Sequence, residues 1–148
     1  MNKWETEPDV IRFTSHGLKC LIIRHSHMGH LCGYVRFPYG PMRKKPIRHN
    51  RIVGKNGYSL AEFWDIQAHG GLTFSSKPGH YLAKGKMWLG FDCAHWDDVV
   101  PHVLDTLKLI GSTIDPYVGG TYKTIEYVRE ETEQLAAQIV KVIEKDLK

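Results

Sequence analysis

Two short stretches of the sequence concentrate residue types that can do chemistry. Residues 68–74 read AHGGLTF and residues 89–98 read LGFDCAHWDD. Imidazole and carboxylate groups held together can exchange protons with a substrate or bind a divalent metal such as zinc. The candidate catalytic residues are His69, Asp92, His95 and Asp98. The candidate ligands of a divalent metal cofactor are His69, His95 and Asp98. No zinc-protease or deaminase motif accompanies them, so hydrogen bonding of these histidines to backbone at the end of a sheet is the open alternative.

Cys93 lies in the second stretch and is a further nucleophile candidate. In a regular strand over residues 87–95, Cys93 and His95 would share one face and Asp92 would lie on the other. A thiolate beside an imidazole can attack a substrate. A cysteine among apolar neighbours, however, commonly serves as a small buried hydrophobe. We therefore expect Cys93 to be packed, and Asp92 and His95 to meet only if the strand bends or stops near Cys93.

Two consecutive glycines, Gly70 and Gly71, follow His69. Such a pair permits an unusual turn, the close approach of a ligand, or a nest of amides that binds an anion. A bulge in a strand is the alternative. We take Gly70, Gly71 and Thr73 as candidate ligand-binding residues. The pattern is neither a dinucleotide fingerprint nor a P-loop.

A third histidine group, RHSHMGH, contains His25, His27 and His30. Three imidazoles near one tight turn could bind a metal. Solvated side chains around an exposed hairpin turn are the alternative, so these residues are weaker metal candidates than the first set.

The charge distribution favours a phosphate-bearing partner. The chain has 20 Lys and Arg against 16 Asp and Glu, a net charge of +4. Residues 11–60 carry no acidic side chain, and a basic loop is expected at 39–57. Such a segment attracts nucleotides or nucleic acid, although a solvated basic loop is an equally ordinary origin. Its candidate ligand-binding residues are Arg43, Lys44, Lys45 and Arg48.

Length and composition indicate one domain over residues 1–148, with 42% hydrophobic residues. No apolar stretch approaches the ~20 residues that span a bilayer, so we expect no membrane partner. The first residues, MNKWETEPDV, lack the apolar core of a signal peptide. Three cysteines are too few for a disulfide scaffold, which predicts a cytoplasmic protein. Nucleophile-elbow, kinase, zinc-finger and RNA-recognition patterns are absent from the sequence.

The hydrophobic pattern predicts an α+β fold with a mostly antiparallel sheet. A capping box beginning at Ser59 predicts a short helix over 59–67. Another helix should begin at Asp97 or Asp98, with Pro101 in its first turn. The predicted strands are VIRFT, LKCLIIRHS, LCGYVRFP, LTF and MWLGFDCA.

The C-terminal segment predicts a long amphipathic helix. Acidic residues lie early in it and lysines late, the order that the helix dipole favours. Its apolar stripe should cover one face of the sheet, while homodimerisation through this helix is the alternative. The stripe consists of Ile125, Val128, Thr132, Leu135, Ile139, Val142 and Ile143.

Four motifs, GHLCGYV, AHGGLTF, WLGFDCAHWDD and TYKTIEYVREETEQLAAQI, resemble an uncharacterised family of small phage and prophage proteins. The family pattern runs GHxxGYV, HGGLTY, WWxGFDCAHxxD and YxxxxYVxxEcxxLAxQL, and the resemblance covers the greater part of the chain. Phe74 and Met87 depart from it, and residues 41–56 are unusually basic. The resemblance implies an intracellular protein of phage or prophage origin and implies no activity. It points to Gly29, His30, Gly33, Tyr34, His69, Gly70, Gly71, Thr73, Gly90, Asp92, Cys93, His95 and Asp98.

Three hypotheses follow for the function. The first is a small hydrolase or transferase acting on a nucleotide-like or phosphate-bearing ligand through a His/Asp site. The second is a non-catalytic binder that sequesters a charged small molecule or inhibits a host protein. The third is a nucleic-acid-binding accessory protein that uses the basic loop.

Overall fold

The computed structural model describes residues 2–37, 66–75 and 87–146. In those ranges five strands form one sheet in the order β1-β2-β3-β5-β4, and every neighbouring pair is antiparallel. The elements are α1 Lys3–Thr6, β1 Val10–Ser15, β2 Leu18–Arg24, β3 Leu31–Phe37, β4 Phe74–Ser75, β5 Met87–Asp92, α2 Pro101–Leu109 and α3 Ile125–Asp146. None of the helices in the described ranges has the length and apolar content to cross a membrane.

The first hairpin is closed by a two-residue turn. Ser15 pairs with Leu18, and the turn residues His16 and Gly17 have φ of 53° and 78°. Positive φ at both positions matches the right-handed twist of the flanking strands. The turn therefore fixes the register of β1 on β2 and keeps His16 at the end of the sheet opposite Arg24.

Helix α3 packs on one face of the sheet. Its residues Val128, Leu135 and Ile139 are fully buried and join Val35 and Phe91 of the sheet in one core. The predicted α+β class and the predicted covering helix are thus confirmed. Because the apolar stripe is buried against the sheet, a homodimer formed through α3 would have to use its outer face, and it stays a prediction.

A glycine makes this packing possible. A side-chain carbon added to Gly33 would lie 2.4 Å from Thr132 Oγ1 and 2.6 Å from Phe91 Cζ. Thr132 itself is fully buried, and its hydroxyl donates to the carbonyl oxygen of Val128 at 2.7 Å. Strand β3 therefore needs glycine where the helix passes over it.

Most strand predictions are confirmed, and three strand boundaries are corrected. The run LTF forms a strand only from Phe74, β2 ends at Arg24 rather than Ser26, and β5 ends at Asp92 rather than Ala94. The predicted helix over 59–67 falls largely outside the described residues. Its last two positions, 66 and 67, are not helical.

The prediction that the second helix begins at Asp97 or Asp98 is wrong. Helix α2 begins at Pro101, in its first turn as expected, and Val100 is its N-cap. Both aspartates lie in the segment before the helix: the backbone oxygen of Asp97 accepts from Thr121 N at 3.0 Å, and the Asp98 carboxylate is bound by other side chains.

An ionic network ties the N-terminal segment to α3. Arg24 Nε donates to Asp9 Oδ1 at 2.8 Å, and Arg24 Nη1 donates to Tyr122 Oη at 2.9 Å. The Tyr122 hydroxyl donates in turn to Glu7, whose other oxygen accepts from Ile125 N at 2.8 Å. Burial raises the pKa of the Tyr122 hydroxyl, so it remains a donor. The start of α3 is thereby held against the end of β2.

Candidate functional site

The antiparallel order brings three separate segments to one end of the sheet. The end of an antiparallel strand lies beside the start of its neighbour. Strand β3 begins where β2 and β5 end, because Leu31 pairs with Arg24 and Cys32 pairs with Asp92. Strand β4 begins there too, with Phe74 opposite Gly90. Residues 25–30, 66–73 and 93–98 therefore meet at this end.

A buried carboxylate lies at the centre of the site. Asp98 is fully buried, and its Oδ2 lies 2.7 Å from His69 Nε2. Lys123 Nζ lies 2.9 Å from Oδ1, and the amide of His95 donates to Oδ2 at 3.0 Å. Burial raises the pKa of Asp98, but the hydrogen bonds from His69, Lys123 and His95 outweigh it, and the pKa falls below its ordinary value. Asp98 is therefore an ionised carboxylate that joins three segments.

His69 is held at both ring nitrogens. Its Nε2 faces Asp98, and its Nδ1 lies 2.8 Å from the Tyr127 hydroxyl of α3. Burial and the nearby Glu131 raise the pKa of Tyr127 to about 12, so the phenol keeps its proton. When Nε2–H donates to Asp98, Nδ1 accepts from Tyr127. The His69 side chain is only 10% exposed, and its two hydrogen bonds link the strand ends to α3.

His95 and Asp92 form a second pair that is open to solvent. His95 Nε2 lies 3.4 Å from Asp92 Oδ1, and the side chains are 28% and 33% exposed. Asp92 is oriented by Ala94 N at 3.1 Å and by the Thr73 hydroxyl at 3.0 Å. The two meet because β5 ends at Asp92, which lets the chain turn His95 back toward that carboxylate. The sequence predicts that Asp92 and His95 meet only if the strand bends or stops near Cys93, and the strand does stop there.

The glycine pair makes room for His95. Gly70 and Gly71 have φ of 67° and 87°, which side-chain-bearing residues rarely adopt. A side-chain carbon on Gly70 would lie 2.0 Å from His95 Nε2, whereas one on Gly71 would meet open space. The Gly71 amide donates to Ala68 O at 2.8 Å. The Gly71 amide is therefore not free to bind an anion in the predicted nest. Gly70 instead allows the His95 side chain to approach the backbone closely.

Cys93 is packed, as expected. It is buried in the core cluster, and burial raises the pKa of its thiol far above the ordinary value. Burial likewise raises the pKa of Cys20 and of Cys32 to about 11. A thiol of this kind stays protonated near neutral pH and is a poor nucleophile.

The donor atoms of the second histidine group, His25, His27 and His30, do not converge on one point among the described residues. The His25 and His30 rings stack at 4.9 Å and 15°. His25 Nδ1 already accepts from Met28 N at 3.0 Å. Within the described residues these histidines are not among the groups whose donor atoms lie within 4.8 Å of one another. Desolvation, together with His25, lowers the pKa of the buried His30.

Among the described residues, the donor atoms that do converge within 4.8 Å belong to His69, Asp97 and Asp98. His95, predicted as a ligand with His69 and Asp98, is outside that group. Lys123 already neutralises Asp98 at 2.9 Å. A divalent cation there would therefore meet an ammonium group beside one of its ligands, and this disfavours the metal.

Sequence reasoning missed Asp97, Lys123 and Tyr127. Lys123 and Tyr127 lie 25 and 58 positions from the partners they bind, Asp98 and His69. A local pattern cannot pair residues so far apart. The one available signal was the YxxxxYV motif, in which both tyrosines now have partners at this end of the sheet. The basic candidates Arg43, Lys44, Lys45 and Arg48 lie outside the described residues.

No protein-family model, no curated protein and no solved structure matches this chain. The fold and the site define an α+β protein in which a buried His–Asp–Lys network supports a half-exposed His–Asp pair. Function has to be argued from that geometry.

Proposed function

We propose that the protein is a small cytoplasmic hydrolase or transferase of phage or prophage origin, acting on a nucleotide-like or phosphate-bearing ligand. The observation that carries the proposal is the half-exposed pair of His95 and Asp92 at the end of the sheet. A carboxylate beside an imidazole orients the ring. His95 is thus the group that exchanges protons with the ligand, and Asp92 assists it.

The two ring nitrogens of His95 have different roles in this proposal. His95 Nε2 is buried and faces Asp92 at 3.4 Å. A proton on Nε2 leaves Nδ1 with the lone pair, so Nδ1 takes the proton of a water or hydroxyl nucleophile and later returns it to the leaving group. The distance is longer than an ordinary hydrogen bond, and such contacts shorten when a ligand binds.

The buried network supports this pair. The His95 amide is bound by Asp98, which His69 and Lys123 also hold. A reactive side chain needs its backbone fixed to within a fraction of an ångström. His69 and Asp98, first predicted to be catalytic, therefore act as positioning residues in this proposal.

The net charge of +4 and the basic segment 39–57 support a phosphate-bearing ligand. Within the described site, the cation beside the carboxylates is Lys123, and it is already paired with Asp98. The proposed phosphate ligands are Arg43, Lys44, Lys45 and Arg48 of the basic segment 39–57, which lies outside the described residues. That segment would also serve nucleic acid, whose binding would weaken steeply with salt.

The test is a turnover assay that follows phosphate release or transfer over a panel of nucleotides and phosphate monoesters. His95→Gln and Asp92→Asn should each lower kcat/KM, His95→Gln by about 10²- to 10⁴-fold, with folding intact. His16→Asn is the matched control, because it removes an imidazole at the far end of the sheet and asparagine tolerates positive φ. Turnover that survives both site variants contradicts the proposal, as does a panel with no substrate.

An exposed apolar surface favours the second candidate function, a non-catalytic binder of a host protein. Leu109, Ile110, Ile114 and Val118 are each at least 72% exposed on one continuous segment. Patches of this kind commonly mark protein contacts. If the protein is such a binder, Ile114→Asp should abolish retention of a host protein on immobilised protein, while His95→Gln should leave it unchanged.

A further inference from the structure

Trp96 is the most exposed of the large apolar side chains described, with 91% of its surface in solvent. Tryptophan carries 150–250 Å² of surface that proteins ordinarily bury, at least in part. It follows directly after His95, the proposed proton-exchanging residue. Contact with a bound ligand would remove this apolar surface from water one residue from His95.

The backbone on either side of Trp96 is fixed. The His95 amide donates to Asp98 Oδ2 at 3.0 Å, and the Asp98 amide donates to His95 O at 2.9 Å. Asp97 O accepts from Thr121 N at 3.0 Å. The indole therefore projects from a turn that need not be ordered on binding, and this reduces the entropic cost of a contact.

The polar groups around this turn are mainly acceptors. Asp92 and Asp97 are partly exposed carboxylates, and a carboxylate only accepts hydrogen bonds. The ammonium group of Lys123 is occupied by the buried Asp98 at 2.9 Å. A ligand group beside the indole and Asp97 should therefore carry N–H donors or positive charge.

We infer that Trp96 is a stacking platform for a flat nitrogen heterocycle with N–H donors, namely the base of a nucleotide. The indole covers one face of the base, Asp97 accepts from its amino or imino edge, and the phosphate lies toward His95 and Asp92. Stacking on an aromatic side chain is a general mode of base recognition. The inference rests on the proposed function for the nucleotide class of ligand and adds the group that recognises the base.

The experiment compares GMP, ribose 5-phosphate and 7-methyl-GMP by calorimetry and by NMR of the indole Nε1–H signal. Trp96→Ala should weaken GMP binding roughly 5- to 150-fold, the range that stacking contributes. Trp96→Phe should restore most of it, because a flat ring returns. Ribose 5-phosphate has no base, so its affinity should not change in Trp96→Ala. The positively charged base of 7-methyl-GMP should bind at least as tightly as GMP beside the carboxylates.

Leu109→Ala is the matched control, since Leu109 is an apolar side chain 86% exposed at the end of α2. The inference fails if Trp96→Ala and Leu109→Ala change GMP binding equally, if ribose 5-phosphate loses as much as GMP, or if GMP leaves the indole signal unmoved. Its failure is distinct from that of the proposed function. Turnover that depends on His95 but not on Trp96 contradicts the stacking platform alone. Binding that depends on Trp96, without any turnover, contradicts the catalytic role alone.

Discussion

Replacing Asp98 by asparagine is the most direct perturbation of the buried network. The Asp98 side chain is fully buried and that of Lys123 is 11% exposed, with 2.9 Å between the charged atoms. Asp98→Asn leaves the ammonium group in a poorly solvated place without its counter-charge. Removing one partner of a buried ion pair costs about 3–5 kcal/mol. For a domain of this size that loss corresponds to a fall in Tm of roughly 6–20 °C.

The pH dependence gives this prediction its sharper form. The pKa of Asp98 is lowered in the folded protein, where hydrogen bonds from His69 and Lys123 outweigh the opposing effect of burial. A carboxylate with a lowered pKa stabilises the fold above its unfolded pKa, near 3.9, and that contribution is lost as pH falls through the folded value. The stability gap between wild type and Asp98→Asn should therefore be full at pH 7 and narrow below about pH 4.

The assay is urea denaturation at a series of pH values, with Asp105→Asn, a change at an exposed carboxylate, as the control. Lys123→Met combined with Asp98→Asn should cost less than the sum of the single changes, because no unpaired charge remains buried. The reasoning is refuted if Asp98→Asn costs under about 1 kcal/mol at pH 7, if the gap is the same at low pH, or if the double variant is additive.

Three further predictions concern packing. Gly70→Ala should lower stability by about 1–3 kcal/mol and displace the His95 ring, whereas Gly71→Ala should show only the smaller backbone cost, because its added carbon meets open space; equal losses in thermal unfolding would contradict this. Gly33→Ala should cost about 1–3 kcal/mol, since its added carbon meets a buried threonine and phenylalanine; an unchanged unfolding midpoint would show that α3 can shift freely. Cys93 should resist a thiol reagent at pH 7 until the protein unfolds, because burial raises its pKa; rapid labelling of native protein would contradict its packed position.

The network also shows why a sequence can predict the members of a site without predicting their roles. His69, Asp92, His95 and Asp98 could be chosen because their side chains are the ones that move protons. Their roles could not be assigned, because role depends on exposure and on partners. His69 looks reactive in the sequence, yet both of its nitrogens are occupied in the fold.

Local periodicity alone determined much of the secondary structure. The alternating burial of β1 and the apolar stripe of α3 are set by which side chains avoid water, and that preference acts on each residue in place. The tertiary structure decided which polar side chains are partners, because periodicity carries no information about contacts between elements. Asp98 binds Lys123 instead of starting the second helix, and β5 ends at Asp92, which lets His95 turn toward that carboxylate. The contacts of Asp98 with Lys123 and of His69 with Tyr127 join residues far apart in the chain, and the packing of α3 against the strand ends brings them within hydrogen-bonding distance.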